Sequence, residues 1–75
     1  MNDQSFERLM QLRYRITLDP APEGGYVATI PDLPGCITQG ETLDETWQNI
    51  QDAQAAWIQT ALDQSIAIPM PSTPP

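Results

Sequence analysis

The groups able to do chemistry in this 75-residue chain are few: ten acidic residues, three arginines, a single cysteine, Cys36, and neither histidine nor lysine. A hydroxyl or thiol becomes a nucleophile only with a base beside it, and the usual bases are missing. Cys36 therefore reads as a small apolar strand residue. Carboxylates that converge on one point can hold a divalent ion for nuclease chemistry. Here Asp19, Glu23 and Asp32 fall in loops, while Glu45, Asp52 and Asp63 fall on the outer side of a predicted helix. Glu45 and Asp52 share that side, but about 10 Å of helical rise separates them, too far to chelate one ion. There is no Walker loop, and the Gly24-Gly25 pair is turn chemistry. The expectation is a chain with no catalytic, cofactor-binding or metal-binding residues, one that acts by binding.

Charge narrows the choice of partner. A formal net charge of −7 repels phosphate backbones and anionic membrane surfaces over the range of the Debye length, so direct nucleic-acid binding is not expected. The same charge either keeps the protein soluble or steers it toward a basic partner, and composition does not choose between these. No apolar run approaches the roughly 20 residues of a membrane span, and Met1 to Glu7 lacks the layout of a signal peptide. A cytoplasmic location with a free thiol at Cys36 follows. One domain of this length buries only roughly 60% of the surface its unfolded chain exposes. With no disulfide or zinc site to staple so thin a core, a homo-oligomer or an obligate partner is expected.

The elements that position these groups are legible from periodicity. Leu12, Tyr14, Ile16 and Leu18 alternate with Arg13, Arg15 and Thr17, which predicts a half-buried strand over 12–18. Asp19 to Gly25 contains two prolines and two glycines and reverses the chain, and Tyr26 to Ile30 reads as the second strand of a hairpin. Pro31-Asp32-Leu33-Pro34-Gly35 is a second break, and Cys36 to Gln39 is a third strand, completing a three-stranded antiparallel meander. Leu33 either folds back over the core, the commoner outcome, or stands exposed as a contact.

Thr42 and Glu45 have the spacing of a capping box, and the helix they start should run from about Leu43 to about Gln64. At 100° per residue, Leu43, Trp47, Ile50, Trp57, Ile58 and Ala61 gather on one side, with Glu45, Gln48, Asp52, Gln59 and Asp63 opposite. Both tryptophans are expected in the core. Gln54 falls within the apolar stripe, where its amide needs a partner from the sheet or a loop, or across an oligomer interface. Ser65 to Pro69 suggests a short fourth strand ended by Pro69. The domain layout is then an N-terminal extension or short helix over 1–11, a folded domain over 12–69, and a disordered proline-rich tail over 70–75.

The run from Gly25 to Cys36, Gly-Tyr-Val-Ala-Thr-Ile-Pro-Asp-Leu-Pro-Gly-Cys, followed by Thr38-Gln39-Gly40-Glu41-Thr42 and the helix, resembles the HicB family, the antitoxins of HicA–HicB toxin–antitoxin pairs. The similarity covers roughly residues 12 to 69. It implies an α+β, partial ribonuclease-H-like fold with a three-stranded meander, one long helix and a short last strand. It also implies a partner: a small basic HicA-like toxin that cleaves mRNA and is blocked when the antitoxin binds it. Many HicB proteins carry a further DNA-binding domain after this one, where this sequence has a proline-rich tail. Ribonuclease H enzymes hold a metal with an aspartate in the first strand, where this sequence has Arg13 to Thr17. The residues expected to meet the partner are Pro31, Asp32, Leu33, Pro34, Gly35, Glu45 and Asp52. The alternatives are an orphan oligomeric scaffold or regulatory module of the same fold and, further off, a metal-dependent nuclease.

Overall fold

A computed structural model describes residues 2–72. Met1 and residues 73–75 lie outside the described residues, and with them the end of the expected tail. The elements run α1 (Asn2–Met10), β1 (Thr17–Pro20), β2 (Tyr26–Thr29), β3 (Ile37–Gly40) and α2 (Leu43–Asp63). The sheet order is β1-β2-β3, both pairs antiparallel, with Leu18 opposite Ala28 and Ala28 opposite Thr38. The long helix packs on β2 and β3, and α1 lies against α2. The predicted α+β meander under one long helix is thus the observed architecture. Among the described residues no helix is long and apolar enough to cross a membrane.

β1 differs from expectation. Residues 13–16 form no ladder, and the strand begins at Thr17 and ends on Pro20. The reason lies across the sheet: β2 stops at Thr29, and beyond it Ile30 donates its N–H to Cys36. Nothing remains there to pair with residues 13–16. Their alternation still describes packing, since Tyr14 is buried and Leu12 and Ile16 pack against the core. Proline enters β1 because of where its nitrogen points. Ala21 donates to Gly25, so the alternation of an antiparallel ladder makes Pro20 a position whose N–H would face away from β2. On an edge strand that missing donor costs nothing.

The α2 start is the capping box read from sequence. Thr42 Oγ1 accepts the Glu45 N–H at 3.0 Å, and the Glu45 carboxylate accepts the Glu41 N–H at 2.8 Å. The buried line is Thr46, Ile50, Gln54, Ile58 and Ala61. Leu43 and Trp47 are corrections to the expected inner side, being 52% and 47% exposed. Thr46 explains the difference. A Cβ at Gly40 would sit 2.7 Å from the Thr46 backbone nitrogen, so the helix start presses directly on the end of β3. Since α2 covers β2 and β3, the β1 side, with Leu18 exposed, is left partly open, and Trp47 overhangs it. Trp57 is half-buried against the core as expected.

The expected fourth strand is absent: residues 66–70 form no ladder. Ser65 takes φ 56, with Ile66 N–H donating to Ala61 and Ser65 N–H to Leu62, the paired bonds of a Schellman helix end. The chain then turns back and runs extended. The disordered tail expected from residue 70 is also corrected for its first part, because Ser72 is hydrogen-bonded to Asp32.

Candidate functional site

The loop from Pro31 to Gly35 is built from the inside outward. Leu33 is 0% exposed and sits in the core beside Ile30, Cys36 and Ile50. Its N–H donates to Ile30 and its carbonyl accepts from Cys36. Gly35 closes the loop at φ 81, a conformation that side chains with a Cβ rarely adopt. Pro31, Pro34 and Gly35 are left on the surface, and the Trp57 indole N–H holds the Pro34 carbonyl at 2.8 Å. Of the five loop residues expected to meet a partner, Leu33 therefore anchors the loop and offers no contact surface.

Asp32 is engaged from within the chain. One carboxylate oxygen accepts the Ser72 N–H and the other accepts the Ser72 hydroxyl, both at 2.8 Å. The Ser72 amide, then its hydroxyl, hold the Asp32 carboxyl below the usual carboxylate range, with the positive charge of Arg15 acting in the same direction. Nearby, the Tyr14 hydroxyl donates to the Pro69 carbonyl. Burial, and after it the charge of Asp32, push the Tyr14 phenol above its ordinary value. The segment after α2 is thus fastened at Pro69 and Ser72 across the start of the chain and the loop. Sequence reading missed this clasp, since a lone serine among prolines carries no signal until the fold brings Asp32 to it.

Glu45 and Asp52 are both exposed on the outer side of α2, together with Gln48, Gln59 and Asp63. They do not join the loop at one point. Trp57, which touches Pro34, stands about 18 Å further along the helix axis than Glu45. The Glu45 carboxylate is already engaged in its cap, and Asp52 is the freer charge of the two. The only cysteine, Cys36, is buried, and that burial pushes its thiol above its ordinary value, which makes it a poor nucleophile. Among the described residues no group of three or more acidic, cysteine or histidine side chains is placed to hold a metal ion. The arrangement offers surfaces for contact: a rigid proline-edged loop with a tail clasped to it, and an acidic helix side.

The family model described as "HicB_like antitoxin of bacterial toxin-antitoxin system" matches residues 14–74. Antitoxin HicB of Escherichia coli K12 is 41% identical over 61 residues, covering 81% of this chain and 44% of that protein. A UPF0150 protein of Synechocystis is 41% identical over 58 residues, 77% of this chain and 80% of that protein. Antitoxin HicB 1 of Photorhabdus laumondii is 35% identical over 63 residues, 84% of this chain and 41% of that protein. The chain thus spans less than half the length of the two named antitoxins and most of the Synechocystis protein.

Proposed function

The chain belongs to the HicB-like antitoxin family, and from that premise we propose that it neutralises a small basic HicA-type toxin by binding it and covering its RNA-cleaving site. The observation that carries this reading is the exposed acidic side of α2, with Asp52 free, on a chain of net charge −7. Such a surface attracts a basic, RNA-binding one and accelerates encounter. Pro31, Pro34 and Gly35 supply a second, rigid contact, with Leu33 beneath them as its support. Asp32 contributes through the clasped tail, which presents Met70 and Pro71 beside the loop. In this reading the protein is not an enzyme, it acts in the cytoplasm, and its meander and helix are the core of a partial ribonuclease-H-like fold. The thin core favours self-association as well.

Co-expression with the product of the adjacent small open reading frame tests the reading. A short basic protein that co-purifies with this chain, and whose RNA cleavage this chain suppresses, is the expected result. A neighbour that is not basic, or that fails to bind, removes the toxin partner. Asp52→Lys should weaken capture strongly at low salt and less at high salt. Equal affinity for Asp52→Lys and the unaltered protein would exclude the helix side as the contact.

A further inference from the structure

The outer edge of β3 is unpaired in a pattern that the ladder defines. Ile30 donates to Cys36 across the β2–β3 turn, so the antiparallel alternation makes Ala28–Thr38 and Tyr26–Gly40 the hydrogen-bonded pairs. Ile37 and Gln39 are then the residues whose backbone N–H and C=O groups point away from the sheet. The contact of Asn49 Nδ2 with the Gln39 carbonyl, 2.9 Å, agrees with this orientation and leaves one lone pair of that oxygen free. The two edges are unequal. Pro20 removes a donor from the β1 edge, but nothing comparable blunts β3, and its Ile37 side chain is 59% exposed. Beside this edge lies an open apolar groove of about 430 Å³, lined among others by Ile37, Ala53, Ala56, Trp57, Thr60 and Ile66.

We propose that this edge is where two copies of the chain join, β3 pairing with β3 of a second copy in antiparallel register about Thr38 to make a six-stranded sheet. The inference rests on the self-association part of the functional reading and is independent of the toxin. Three features select a second copy. Ile37 and Gln39 lie symmetrically about Thr38, so the register that sets Ile37 against the second copy's Gln39 satisfies both residues twice, as a two-fold interface requires. The strand Ile-Thr-Gln-Gly is uncharged, and the register places Glu41 opposite the second copy's Gly35, so two chains of charge −7 meet without acid facing acid. Finally, the helix flank along this edge, Asn49, Ala53, Ala56 and Thr60, is neutral and small. The acids Asp44, Glu45, Asp52 and Asp63 fall round the other side and stay free for a basic partner.

Sedimentation velocity over a concentration series tests this, with far-ultraviolet circular dichroism as a check on folding. The unaltered protein is expected to sediment at twice its 8.3 kDa mass. Gln39→Pro removes only an outward donor, and Ala56→Arg puts a charge on the helix flank. Each should raise the dimer dissociation constant at least about tenfold, while Trp47→Gln leaves it unchanged. In the proposed register Thr38 meets its own copy in a non-hydrogen-bonded pair about 4.5 Å apart, within disulfide reach. Thr38→Cys in a Cys36→Ala background should therefore give a covalent dimer on mild oxidation. A monomer at every concentration would overturn self-association and this surface together. A dimer indifferent to both edge substitutions, with no Thr38→Cys cross-link, would overturn the surface alone, as would a monomer whose edge variants fail only to capture a basic toxin.

Discussion

Single residues hold the loop and the tail where they are. Leu33 is fully buried, so Leu33→Ala should cost about 2–5 kcal/mol in chemical unfolding, and any loss of partner binding should follow from the loosened loop. Asp32 sets a pH dependence. Its carboxyl is held below the usual range by Ser72, so its contribution is present at pH values above the unfolded carboxylate value of about 3.9 and is lost as pH falls through the lower folded value. Amide exchange at Ser72 should therefore accelerate below about pH 4, and Asp32→Ala should make it fast at neutral pH as well. Exchange at Ser72 that is equally slow in Asp32→Ala would mean that the clasp does not hold the tail.

At the scale of elements, the position of α2 is decided by its contact with β3. The buried line runs through Thr46, Ile50 and Gln54, and Trp47 hangs free of it. Trp47→Gln should change stability by less than about 1 kcal/mol, whereas Ile50→Ala should cost about 2–5 kcal/mol. Quenching of tryptophan fluorescence by acrylamide should resolve a more accessible Trp47 and a more protected Trp57. The end of the helix offers a gain. Ser65 occupies a left-handed conformation, and Ser65→Gly should raise stability by up to about 1 kcal/mol in thermal melts. An unchanged or lowered melting temperature would count against the helix end described.

For the whole molecule, the distribution of charge and apolar surface divides the chain into regions with different tasks. The acidic helix side is available to a basic toxin, and the neutral β3 edge to a second copy. A ternary assembly of two antitoxin chains, each with a toxin bound, is the expected species in light scattering of the co-expressed proteins. The sequence alone determined the meander, the capped long helix, the buried Cys36 and the family, because each depends on periodicity, on turn residues or on a short string of residues read in order. The proline-framed loop was equally legible, with Leu33 in the core as the commoner outcome foresaw. Tertiary structure decided which side of α2 is covered, since Thr46 and Gly40 carry little hydrophobic signal and matter only when pressed together. It also decided that residues 66–70 form no strand and that Ser72 returns to Asp32, because both depend on where a left-handed Ser65 aims the chain. The fate of β3's edge belongs to the same class: a strand of four residues does not reveal which of its amides point outward until the pairing with β2 fixes the alternation.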